Sequence, residues 1–185
     1  MSYENMLLSD RFAHPGVPTL PRLIKSESIS RSTELRIAIP AYANVGASLR
    51  NALLAWGPVS GCGRITAGSL SSLQYHVIIK ASDGIKPFVY GSPIKCDGDL
   101  TLVTAAITLG RSAAGVQVLH CHGGFIDRAG GQHGGHLALD ASFAGKDGLV
   151  IRVCLFHEIE YVITPDPETN FDLLTPTHKN EGAAT

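Results

Sequence analysis

Four histidines and six glycines crowd residues 120 to 136: His120, His122, His133 and His136, with Gly123, Gly124, Gly130, Gly131, Gly134 and Gly135 between them. Imidazoles at this density suggest ligation or proton chemistry, so the question is which of them converge. Val116 to Ile126 reads as a strand, because β-branched and apolar residues dominate it and Asp127-Arg128-Ala129-Gly130-Gly131 is turn chemistry. Side chains on a strand alternate, which puts His120 and His122 on one face, roughly 7 Å apart along the chain. After the turn the chain returns through Gly134-Gly135, where missing side chains allow close backbone approach, and an antiparallel return delivers His136 to the first pair.

Three neutral imidazoles suit a zinc-like divalent ion and leave a coordination position open for water or a ligand. The competing reading is three unrelated histidines, His120 and His122 satisfied by backbone groups and His136 half exposed beside its glycines. Cys121 points to the other face and reads as core packing, while His133 reads as an exposed turn residue. His76 and His178 have no evident partner.

The elements around this stretch follow in chain order. Residues 1 to 33 form an extended arm, with His14-Pro15, Val17-Pro18 and Leu20-Pro21 opposing helix and strand. Leu35 to Ile39 is a short strand. Asn44 offers an N-cap to a helix through about Trp56, with Val45, Leu49, Leu53 and Trp56 at helical spacing and Gly57-Pro58 as the stop. Val59 to Ser69 is a bent, glycine-bearing strand. Leu73 to Lys80 and Pro87 to Tyr90 form a hairpin, and Leu100 to Leu109 is a further strand. Leu137 to Phe143 and Val150 to Ile163 supply the last strands, with Gly145-Lys146-Asp147-Gly148 turning between them. The expected architecture is α+β: a single compact domain, a mixed, mainly antiparallel sheet of about seven strands, and one main helix packed on it. Residues 34 to 175 make that domain and 176 to 185 a flexible tail.

At 185 residues, with 44% hydrophobic content, the chain suits one well-buried domain. A net charge of −1 gives little general attraction to phosphate backbones, so nucleic acid is not a favoured partner. No apolar run is long enough to span a bilayer and no leader-like start is present, which predicts a cytoplasmic protein without a membrane partner. Four widely spaced cysteines fit reduced thiols there.

The segments His120-Cys121-His122, Asp127-Arg128-Ala129-Gly130 and Gly134-Gly135-His136-Leu137 together resemble the signature of the PPC domain, the family shared by plants and prokaryotes. The resemblance extends to Val59-Ser60-Gly61-Cys62-Gly63 and to the Glu158 to Ile163 strand, covering about residues 34 to 175. It implies a compact α/β domain that assembles as a homotrimer. It also implies, for free-standing prokaryotic members, a histidine cluster near subunit boundaries that holds a metal in some of them. It thereby supports Zn2+ or a similar divalent metal on His120, His122 and His136. Plant members carry a basic hook for DNA, and the Arg-Gly-Arg core of that hook is absent from this chain.

Arg64 departs from the family pattern, which has a small apolar residue there. Its planar fork could seat the carboxylate or phosphate of a small-molecule ligand, the alternative being a solvated or ion-paired surface arginine. Glu158 and Glu160 share a face of the last strand, and Glu158 is the candidate base or orienting carboxylate. Two function classes follow: a metal-dependent hydrolase or lyase acting on a small anionic metabolite with Glu158 and Arg64 as catalytic groups, or a non-catalytic ligand-binding or regulatory module, DNA-associated at most as an assembly.

Overall fold

In the computed structural model the described residues are 15–17, 29, 31–82 and 84–179. Most of the N-terminal arm and the last six residues of the tail lie outside them. The described part of the arm rests on its own chain, where Gly16 N donates to Glu168 O (3.1 Å) and Val17 N to Pro167 O (2.9 Å).

Among the described residues there are ten strands: β1 (Ser32–Ile39), β2 (Ser60–His76), β3 (Ile78–Lys80), β4 (Phe88–Tyr90), β5 (Ile94–Arg111), β6 (Gln117–Ile126), β7 (Gln132–Leu137), β8 (Phe143–Phe156), β9 (Ile159–Pro165) and β10 (Asp172–His178). Eight form one sheet in the order β1-β8-β2-β7-β6-β5-β9-β10, and β3 and β4 pair separately. An additional β2–β5 pairing joins the two sides of this order, so β2, β7, β6 and β5 close a four-stranded ring. Neighbours run antiparallel except at the single β5–β9 pairing, Arg111 with Val162. This is the expected α+β domain with a mixed, mainly antiparallel sheet and one main helix, and it has more strands than the seven anticipated.

The helix α1 (Val45–Leu53) starts where Asn44 Oδ1 accepts from Ala47 N at 2.8 Å, satisfying one of its orphan donors. A short 3-10 turn (Leu54–Trp56) follows and ends at Gly57, whose φ of +69° suits glycine. Val45, Leu49 and Leu53 repeat every four residues and are buried against the sheet. Each such leucine contributes about 1.5–3 kcal/mol by leaving water. Trp56, assigned to the apolar face by its spacing, is instead exposed, because the tighter 3-10 turn rotates it off the helix's buried stripe.

The strands are longer and fewer joints are turns than local composition predicts. Val59 to Ser69 and Leu73 to His76 merge into β2, which is bent and pairs with β5 and β8 through irregular register steps. Gly145-Lys146-Asp147-Gly148 is not a turn: β8 runs through it, with both flanks paired to β2. Gly148 takes φ +69° inside the strand, so the glycine makes a kink and the ladder continues. After Leu137 the chain forms a 3-10 turn (Leu139–Ala141) instead of a strand, and the last long strand breaks at His157 and Glu158 into β8 and β9. β10 extends from the domain into residues read as tail by composition. Among the described residues, no helix is long and apolar enough to cross a membrane.

Candidate metal centre

The alternation in β6 is clean. Cys121 and Phe125 are buried in the core, so His120 and His122 project from the opposite face. Burial pushes the Cys121 thiol up to about 12, which leaves it a packing group. The turn to β7 closes on Asp127, whose Oδ1 accepts from Ala129 N (2.9 Å) and Gly131 N (2.8 Å). The antiparallel return then pairs Gly124 with Gly134, Gly123 with Gly135 and His122 with His136. Gly135 is required where it stands: a Cβ there would lie 2.3 Å from the His76 carbonyl oxygen.

His120, His122 and His136 thus meet. One ring nitrogen from each lies within 4.8 Å of those of the other two. Ring centroids are 4.8 Å apart for His120 and His122, 4.9 Å for His120 and His136, and 5.3 Å for His122 and His136. A zinc–imidazole bond is about 2.0–2.1 Å, so a single ion reaches all three after modest side-chain rotation. The protonation state fits as well. Partial burial, then the neighbouring His120, His122 and His76, push the His136 pKa down to about 4, and burial followed by His122 lowers that of His120. Both rings are therefore neutral at pH 7, with lone pairs available to a cation.

Two further residues that spacing did not reveal complete the surroundings. Tyr90, on β4, places its hydroxyl 3.2 Å from His136 Nδ1, with ring centroids 4.7 Å apart. His76, at the end of β2, is the register partner of His136, with ring centroids 6.2 Å apart. Its Nδ1 lies 3.0 Å from the Gly91 carbonyl, so Nδ1–H donates there and Nε2 is left facing outward from that bond. Their only sequence signal is position, one ending an alternating strand and the other the short strand after Pro87.

His133 is half-buried rather than an exposed turn residue. It lies on β7, stacks on Phe125 at 5.1 Å, and sets Nε2 2.8 Å from Asp127 Oδ2 and Nδ1 3.3 Å from the Tyr75 hydroxyl. Asp127 is held below the usual carboxylate range by His133 and by the backbone donors of its turn. His133 serves the turn, not the histidine cluster.

A cavity of about 440 Å³ opens beside His120, lined among others by Ile78, Phe88, Tyr90, Phe171 and Lys86. Lys86 Nζ sits 5.8 Å from the Phe171 ring centroid. The cavity offers an apolar wall, one lysine, one carboxylate (Asp172) and one of the three histidines, which suits a small organic ligand.

The two remaining site residues are elsewhere. Glu158 lies in the turn between β8 and β9, where Oε1 accepts from Arg31 Nε (2.9 Å) and Oε2 from Arg31 N (3.2 Å). The break at His157 and Glu158 removes it from the regular strand face it was expected to share with Glu160, which pairs bidentately with Arg111 at 2.7 and 2.8 Å. Arg64 is exposed on the face of the sheet that carries the histidines. It pairs in register with Ala106, and Ala106 pairs with His122, so one strand separates the two.

No protein-family model matches the chain, and neither does any curated protein sequence. Solved structures do. A plant- and prokaryote-conserved (PPC) protein from Pyrococcus horikoshii superimposes with a TM-score of 0.60 at 15% identity, over 83% of this chain and 97% of that one. A metal-containing protein from Archaeoglobus fulgidus gives 0.58 at 14% identity, over 83% and 99%. A proposed DNA-binding protein from Ralstonia eutropha gives 0.57 at 18% identity, over 76% and 89%. The chain therefore has the PPC fold, as its histidine and glycine segments suggested.

Proposed function

We propose that this chain is a metal-binding PPC-fold domain that holds a zinc-like divalent cation on His120, His122 and His136 and presents it to a small anionic metabolite. The observation that carries this reading is the convergence of three imidazole nitrogens within 4.8 Å, from two strands, with two of the rings driven toward the neutral form. A cation bound there supplies Lewis acidity toward an oxygen of the ligand, the chemistry a hydrolase or lyase uses. Tyr90 would orient His136: its hydroxyl lies 3.2 Å from Nδ1 and would accept Nδ1–H, leaving Nε2 as the nitrogen that would hold the cation. The cavity beside His120 takes the organic part of the ligand, and Arg64 an anionic group.

The likeness to the metal-containing Archaeoglobus protein supports the same reading. The homotrimer and the cytoplasmic setting rest on the family resemblance and on the four free cysteines, respectively. Elemental analysis of protein purified without an affinity tag, with molar mass recorded in solution, tests both the metal and the assembly. About one zinc-like ion per chain, lost in His136→Ala, is the expected result. Absence of metal after adding back zinc, manganese and iron overturns it.

A second reading, a ligand-binding or regulatory module without turnover, is favoured by one observation. Glu158 is engaged by Arg31 and Glu160 by Arg111, so neither carboxylate is offered to the histidines as a general base. The likeness to the Ralstonia protein keeps DNA association within this reading. Turnover of small esters, amides or lactones by the metal-loaded protein separates the two.

A further inference from the structure

Beyond the histidines, the open face of the sheet carries a row of arginines on three adjacent strands. Arg36 on β1 pairs in register with Arg152 on β8, and Arg152 pairs with Arg64 on β2. Cross-strand register partners point to the same face about 5 Å apart, and like charges placed directly opposite one another destabilise a sheet. All three are exposed, and among the described residues none of them forms an ion pair. They line a cavity of about 660 Å³ together with Glu34, Cys62 and Thr108. Three guanidinium groups there face one carboxylate. A folded domain that tolerates this repulsion has a row that an anion would relieve.

We propose that Arg36, Arg152 and Arg64 form a binding site for a compact organic polyanion, one bearing phosphate groups or several carboxylates. Planar guanidinium forks bind such oxygens in pairs, and three arginines lining one cavity match a ligand with more than one charge. The row also continues toward the histidines. Arg64 pairs with Ala106, Ala106 with His122 and His122 with His136. Two strand spacings, about 10 Å, separate the backbone of Arg64 from that of His122. A ligand anchored by its anionic end on the arginines therefore extends its other end toward the metal-binding residues. This deepens the function proposed above and rests on it only for that shared ligand; the anion site itself needs the arginines alone. A small ligand fits better than a nucleic acid, since the site is concave and the chain carries a net charge of −1.

Calorimetric titration with inorganic pyrophosphate at constant ionic strength tests the site, on the wild type and on Arg64→Gln, Arg152→Gln and His136→Ala. The wild type and His136→Ala bind it alike, and either arginine substitution weakens binding about tenfold or more, the loss of a charge-assisted bidentate contact. Thermal unfolding without ligand adds a reading that a structural role would reverse: Arg152→Gln unfolds at the same temperature as the wild type or higher, because a like-charge contact has been removed. No binding by the wild type at millimolar pyrophosphate overturns the proposal, as does binding that both arginine variants retain. Loss in His136→Ala alone places the anion on the metal, which overturns the arginine site and leaves the metal reading standing. Binding of duplex DNA in place of pyrophosphate, abolished by the same arginine substitutions, also overturns it.

Discussion

His122 and His136 face each other as register partners across β6 and β7, their rings 5.3 Å apart and inclined at 74°. The hairpin, not a loop, sets this distance, so the two ligands are held by a ladder of backbone hydrogen bonds. Replacing either with alanine removes a donor without disturbing the ladder. His122→Ala and His136→Ala should each lower metal content from about one ion per chain to near none while the circular dichroism spectrum is retained, since two imidazoles would hold a divalent ion far more weakly than three. Unchanged metal content in both would sink the assignment.

Tyr90 touches His136 and is not among the three ligands. Tyr90→Phe keeps the ring packed on the imidazole and removes the hydroxyl. Metal affinity, measured by competition with a chromophoric chelator, should fall about tenfold, as expected when an orienting hydrogen bond to a ligand is lost. An affinity equal to the wild type would make Tyr90 only a wall of the cavity.

Gly135 lies where β7 passes against the carbonyl of His76. An alanine there forces the backbone apart at the point that delivers His136. Gly135→Ala should cost about 1–3 kcal/mol in a denaturant titration, the usual range for overpacking, and should weaken metal binding as well. Full stability would mean that β7 shifts freely, contrary to its pairing on both sides.

The pair of Arg111 and Glu160 sets a pH dependence. Hydrogen bonds from Arg111 hold the Glu160 carboxyl below its ordinary range. Since the folded pKa is the lower one, the unfolded chain takes up the proton first as pH falls. The stability this pair contributes is therefore present above the ordinary glutamate value near 4.3 and is lost as pH drops through the depressed folded value. Midpoints of thermal unfolding should fall more steeply below pH 5 in the wild type than in Glu160→Gln. Parallel profiles would show that the pair contributes nothing measurable.

Much of the candidate centre was legible in local pattern. Alternation across Leu119, His120, Cys121 and His122 assigns faces without any tertiary information, because a strand has a period of two. The Asp127 to Gly131 turn and the Gly134-Gly135 return predict a hairpin for the same local reason, and the structure closes it in the register that joins His122 to His136. Asn44 likewise marks the helix start through its own capping hydrogen bond.

What tertiary structure alone decided are relations between distant segments. His76 and Tyr90 lie 60 and 46 positions from His136 and reach it only because β2 pairs with β7 and the small β3–β4 sheet folds beside them. Gly145 to Gly148 has turn composition, yet pairing with β2 on both flanks outweighs that preference and carries the strand through. Glu158 left its expected face because the chain turns there and Arg31 takes its carboxylate. The arginine row is the clearest case: Arg36, Arg64 and Arg152 share no local pattern, and only the order β1-β8-β2 sets them side by side. Local sequence settles which way a side chain faces, because that depends on backbone period; strand order settles what it faces, because that depends on contacts between residues far apart in the chain.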